Sequence, residues 1–231
     1  MSGWGIQAAD VALAVVVGAT VGTVLRRRLA GLAYRTPEEV ELPTPASAWV
    51  IPVTALLTGL TWWAVAPGQP WVVPLVYLLA TWTMIPLAFI DLDVHRLPDR
   101  IQLPAYPILA ALLAVCSLAT GDWGALVRAL LAGVTLWILF FVLALLPGGG
   151  IGFGDVKLAG LLGMLLGWLT WSQVFVATMA TFLIGGVVAV ALVLTQRKGR
   201  SDEFAYGPSM LMGAVLALAY PALLHSLAQL P

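Results

Sequence analysis

Acidic side chains in two places carry the chemistry this sequence can offer. Asp91, Asp93 and Asp99 follow one apolar run, in Phe89-Ile90-Asp91-Leu92-Asp93-Val94-His95-Arg96-Leu97-Pro98-Asp99, and Asp155 closes a second stretch, Pro147-Gly148-Gly149-Gly150-Ile151-Gly152-Phe153-Gly154-Asp155-Val156-Lys157. An ionisable group at or within an apolar helix is expensive to desolvate, which makes it a candidate for function by default. Two carboxylates brought close together cannot both ionise easily, so one pKa rises and the pair shares a proton near working pH. The ionised member can then activate a water while the protonated member polarises a peptide carbonyl. That is aspartic-protease chemistry, and its apparent pKa values belong to the pair. Spacing alone does not bring Asp91 and Asp155 together.

Structural readings compete with the functional ones. Asp155 and Asp99 could each cap the helix that follows, accepting its orphan N–H bonds. For Asp99 the cap is the preferred reading, while for Asp155 capping and function stand level. Asp91 follows the C-terminal end of an apolar segment, where the macrodipole disfavours an anion, so local helix energetics do not explain it. Five of the seven residues from Gly148 to Gly154 are glycine, which lets another backbone approach closely, as an extended peptide would, or simply makes a flexible turn. His95 beside Arg96 reads as an ordinary interfacial polar residue. The single cysteine, Cys116 in an apolar run, excludes a disulfide framework and a multi-cysteine zinc site. No metal site is predicted.

The elements that position these residues must cross a membrane. Only 10% of the 231 residues are charged, 11 basic and 11 acidic, and 61% are hydrophobic, with a mean hydropathy of +0.99. A soluble domain is nearer a quarter charged. The net charge of zero leaves no basic surface for nucleic acid. Punctuation by Pro, Gly and charge gives eight apolar segments: Gly5 to Leu25, Ala48 to Ala66, Trp71 to Ile90, Leu103 to Thr120, Ala125 to Leu146, Val156 to Trp171, Val174 to Thr195 and Pro208 to Leu230. Each must be helical, because a lone strand in lipid leaves its backbone groups unpaired. The expected fold is an all-α polytopic bundle of about eight transmembrane helices, a single membrane-embedded domain over residues 1–231.

Charge also sets an expected orientation. No basic residue precedes the first segment and Arg26, Arg27 and Arg28 follow it, so it reads as a retained helix with its N terminus outside. Alternation then puts the loops at about 26–47, 91–102, 147–157 and 196–207 inside, where ten of the eleven basic residues fall and only Arg128 does not. Both termini are expected outside. The 26–47 loop reads as a solvated connector on the cytoplasmic surface.

Three motifs in order carry a resemblance. Asp91-x6-Pro98-Asp99, Gly152-Phe153-Gly154-Asp155-x-Lys157 and Phe204-Ala205-Tyr206-Gly207-Pro208 together resemble the type IV prepilin peptidase family, over roughly Trp71 to Ala214. The resemblance implies an intramembrane aspartic endopeptidase of the cell membrane, cleaving the leader of prepilins and pseudopilins at the cytoplasmic face, just before the substrate's apolar helix. Its implied partners are that helix and membrane lipid. Asp91 and Asp155 take the place of the family's catalytic aspartates, and Asp93 is the reserve candidate. Gly152 and Gly154 match the motif glycines that would set Asp155 opposite Asp91. Lys157 matches too, but two positions from Asp155 on a helix it is not expected to touch it.

Long members of that family carry two Cys-x-x-Cys pairs in an N-terminal portion and also methylate the new N terminus with S-adenosylmethionine. Here no cysteine precedes Cys116. A peptidase-only short form follows as the expectation, with no cofactor and no N-methylation. Two alternatives stand beside it. Gly152 to Asp155 with Pro221-Ala222-Leu223 is similar to the signal-peptide-peptidase group of intramembrane aspartic proteases, and paired membrane acids could form a proton relay in a small transporter.

Overall fold

A computed structural model describes residues 8–146, 151–194 and 206–227. Among the described residues there are eight α-helices, one short 3-10 turn at Pro37–Glu39 and no strand. The helices are α1 (Ala8–Ala30), α2 (Val50–Val65), α3 (Val72–Val94), α4 (Asp99–Thr120), α5 (Trp123–Leu145), α6 (Phe153–Leu169), α7 (Trp171–Leu194) and α8 (Gly207–Leu227). All eight expected segments appear, with shifted ends. Six are long and apolar enough to cross a membrane: α1, α3, α4, α5, α7 and α8. The two others are shorter, α2 with 16 residues and α6 with 17.

Several boundaries depart from the sequence reading for identifiable reasons. α3 was expected to end at Ile90 but runs to Val94, so Asp91 and Asp93 lie in its last turn. Nothing before His95 breaks the helix. There the backbone turns left-handed, φ 51°, an uncommon conformation for which His is one of the more tolerant side chains. α4 was expected from Leu103 but starts at Asp99 directly after Pro98 and carries Pro104 and Pro107 inside it, which membrane helices tolerate when neighbours re-satisfy the backbone. It stops at Gly121, φ 75°. α5 is capped by Asp122, whose carboxylate accepts the Ala125 N–H at 2.9 Å.

The chain divides into two compact units, residues 1–94 with 221–231 and residues 95–220. In the first, α1 packs on α2, and both meet α3. The α1–α2 seam is built from small residues. A Cβ on Gly18 would stand 2.5 Å from Thr58 Oγ1, and one on Gly22 3.0 Å from the Ile51 Cα. In lipid, where burying apolar surface drives nothing, such close backbone approach supplies the packing energy.

In the second unit, α6 packs against α4, α5 and α7, and apart from Lys157 its residues from Asp155 to Trp168 are buried. Its partner face on α5 is again small, Ala129, Ala132 and Gly133, against Gly163 and Gly167. α4 and α6 run in the same direction. Their N-terminal ends are joined by Lys157 and Asp99 at 2.6 Å, and their C-terminal ends by Trp168 Nε1, which donates to Ser117 Oγ at 2.9 Å. Arg128, the one basic residue outside the expected inside loops, caps α6. Its guanidinium donates to the carbonyls of Gly167, Trp168 and Leu169 at 2.8, 2.7 and 3.0 Å, where a cation complements the helix C terminus.

Candidate active site

In the first unit, Asp91 sits on the last turn of α3, 4% exposed, directly after the buried Phe89 and Ile90. The turn is gripped from outside. The Phe89 ring meets Tyr34 edge-on at 6.2 Å and Trp49 at 5.8 Å, so both ends of the α1–α2 connector pack two residues before Asp91. Asp93 completes the grip. Its Oδ2 accepts the Tyr34 hydroxyl at 2.6 Å and Arg35 Nε at 2.8 Å, and its Oδ1 accepts a second guanidinium nitrogen at 2.7 Å. The paired side chains are only 1% and 5% exposed.

Arg35 also donates to the carbonyls of Leu42 and Pro43, at 2.9 and 2.8 Å. The hydrogen bond to Asp93 raises the Arg35 pKa above its ordinary value, and burial, with the Asp93 acceptor adding to it, raises the Tyr34 phenol. Both donors therefore stay protonated. Of the expected 26–47 connector, the first residues belong to α1, which continues to Ala30; Tyr34 and Arg35 bond the end of α3, while residues 36–44, apart from Glu39, are exposed.

In the second unit, Asp155 is 6% exposed at the third position of α6. Its Oδ2 accepts the Gly152 N–H at 3.1 Å. This is half of a capping box, since Gly152 has no side chain to return the bond, and the anion also meets the positive end of the helix dipole. Asp155 is therefore not the N-cap, which is Gly152, but binds back to it from the third helical position through Oδ2. Gly154 lies against Leu97, whose Cβ would stand 2.9 Å from a Cβ at that position. The residues 147–150 of the glycine-dense stretch, and Phe204 and Ala205 of the third motif, lie outside the described residues.

Asp99 does not cap α4, contrary to the preferred sequence reading. The N-cap is Pro98, and Asp99, in the first turn, accepts from Lys157 Nζ at 2.6 Å instead. Lys157 also stands 5.1 Å from the centre of the Phe153 ring. Tyr206, quoted in the third motif without a role, lies near Asp155. Burial pushes its phenol up to about 12, and the negative charge of Asp155 adds to the shift. Its ring fills the space over Gly185, where a Cβ would meet it at 2.6 Å.

Sequence reasoning missed Gln102. This amide is wholly buried on α4, and its Nε2 donates to the Gly154 carbonyl at 3.0 Å. The one available signal was a lone amide within the otherwise apolar Ile101-Gln102-Leu103-Pro104. Among the described residues, no group of three or more His, Cys, Asp or Glu side chains could hold a metal ion.

Comparison with known proteins gives a consistent picture. Residues 78–192, a span that includes Asp91 and Asp155, match the type IV leader peptidase family. The chain is 33% identical over 175 residues to the prepilin leader peptidase/N-methyltransferase of Aeromonas hydrophila, a match covering 73% of this chain and 56% of that protein. It is 38% identical over 165 residues to the protein of that name from Neisseria gonorrhoeae, covering 69% and 54%. Against the one from Bacillus subtilis the figures are 30% over 137 residues, 59% and 52%. The chain thus spans about half the length of the curated relatives it matches. No solved structure matches it.

Proposed function

We propose that this chain, which belongs to the type IV leader peptidase family, is an intramembrane aspartic endopeptidase that cleaves prepilin or pseudopilin leaders. It is a multi-pass membrane protein with six helices long and apolar enough to span. One observation carries the proposal: within the family match, two aspartates that a sequence this poor in charge could ill spare are both buried at helix ends, Asp91 at 4% and Asp155 at 6% exposure. A buried carboxylate in an apolar helix is costly to keep, which marks both as functional residues. The relatives' names supply the substrate class. Methyl transfer, which those names also include, is no part of the proposal.

In the reaction we assign, the ionised aspartate takes a proton from water as the water oxygen bonds to the scissile carbonyl carbon. The protonated aspartate gives its proton to the carbonyl oxygen. Collapse of the tetrahedral intermediate breaks the C–N bond, the proton held by the first aspartate passes to the leaving nitrogen, and a hydroxyl proton of the intermediate returns to the second aspartate. The products are the leader carboxylate and a new amino terminus. Gly152 leaves room for the substrate backbone, Gly154 lets Leu97 pack against the turn, Lys157 steadies the turn through Asp99, and Asp93 serves as the anchor of the α1–α2 connector. We read residues 1–231 as one peptidase domain with eight spans, both termini outside and both motifs facing the cytoplasm.

Sealed vesicles test the reaction and its side together. Inverted vesicles, which expose the cytoplasmic face, should cleave an added peptide spanning a prepilin leader junction, and EDTA should leave the rate unchanged. Right-side-out vesicles should not cleave it. Cleavage from the outer face alone would overturn the orientation, and loss of activity with EDTA would count against a metal-independent dyad.

A further inference from the structure

We infer that Gln102 is a positioning residue, setting the orientation of Asp155 through the peptide group that joins Gly154 to it; the inference rests on the reading of Asp155 as a catalytic acid. That peptide is held from both sides. Its N–H donates to the Gly152 carbonyl at 3.0 Å, inside the turn, and its carbonyl accepts from Gln102 Nε2 at 3.0 Å, across from α4. The Asp155 Cα hangs from this plane, so a rotation of the plane swings the carboxylate. An outside tie matters at this place. The first turn of a helix leaves its N–H groups without intrahelical partners, and the turn entering α6 carries Gly152 and Gly154, whose backbones restrain rotation least.

The Gln102 amide is suited to hold position and poorly suited to packing alone. Only its nitrogen can donate to a carbonyl, so the bond fixes which end of the amide faces Gly154. The other end, Oε1, is buried and accepts no hydrogen bond from the described residues. A buried amide with half its capacity unmet costs stability that a leucine would not. Nor is Gln102 needed to join the helices. On the same stripe of α4, at spacings of three and four residues, Asp99 binds Lys157 Nζ and the Tyr106 hydroxyl donates to the Lys157 carbonyl at 2.7 Å. Leu97 packs on Gly154 besides. Loss of the amide would leave α4 against α6 and free one peptide plane.

The test compares purified wild type, Gln102→Leu, Gln102→Glu and Asp155→Asn on a leader-junction peptide, reading kcat, KM, the pH profile and thermal unfolding. For Gln102→Leu, kcat should fall about tenfold or more, the scale of a displaced reacting group. KM should stay within about twofold, since a positioning residue acts on the chemical step, and unfolding should remain close to wild type. In Gln102→Glu the neutral acid can donate where the amide did, whereas the carboxylate cannot. Its activity relative to wild type should therefore be highest at acid pH and fall as the group ionises. An unchanged kcat in Gln102→Leu beside an inactive Asp155→Asn would overturn this inference alone. So would a Gln102→Glu profile parallel to wild type, which also decides the matter if the leucine variant does not fold. Full cleavage by Asp155→Asn would overturn the catalytic reading and this inference with it.

Discussion

Asp93 and Asp91 stand two residues apart in the same turn of α3, yet their surroundings differ. The Asp93 carboxylate receives three bonds from Tyr34 and Arg35, which suits an anchor better than a reserve catalyst, because both its oxygens are already taken by donors. Replacing Arg35 by Gln should leave Asp93 buried without its charged partner and loosen the connector. Cutting at Glu38, Glu39 and Glu41 by a Glu-specific protease should then rise by about tenfold, as expected when a buried polar group loses a bond. An unchanged rate of cutting would show that the aromatic contacts of Phe89 hold the segment unaided. Asp91 and Asp155 were legible as candidates because so few charges had to be explained. The partners of Asp93 were not, since Tyr34 and Arg35 lie 59 and 58 residues away in sequence and no local pattern links them. Lys157 and Asp99 repeat the lesson at a separation of 58.

At the scale of elements, eight helices follow from hydropathy because lipid allows little else, but their ends do not. Charge read as punctuation ends α3 at Ile90. The helix instead continues through Asp91 and Asp93 until His95 turns left-handed. Proline misled in the opposite way, since α4 begins at Asp99 and absorbs Pro104 and Pro107. What joins helix to helix is carried by small residues whose role depends on the facing backbone. A Cβ on Gly163 would stand 2.6 Å from the Ala132 carbonyl oxygen and 3.0 Å from the Gly133 Cα, so even alanine must push α5 and α6 apart. Gly163→Ala should cost about 1–3 kcal/mol, read as a lower unfolding temperature in detergent. Gly186→Ala, with none of the described residues within 4 Å of the new methyl, should cost far less and serves as the control. Equal stability of the two variants would mean that the α5–α6 seam yields freely.

For the whole molecule, the charge inventory did more than assign a class. The basic residues predicted which loops share a side, and within the second unit the start of α4 and the start of α6 do meet, through Lys157 and Asp99. The one exception to the count, Arg128, is committed to the end of α6, so its place follows from capping and not from membrane sidedness. Six helices reach spanning length and two do not. The sequence could not show why the α6 segment is short: it is the helix enclosed by α4, α5 and α7. The proposed joint action of Asp91 and Asp155 as one catalytic pair is tested by separate Asp91→Asn and Asp155→Asn variants. Leader-peptide cleavage by each folded variant should fall by at least about a thousandfold, because a unit of two groups fails when either is lost. Wild-type cleavage by either variant would rule out the pair.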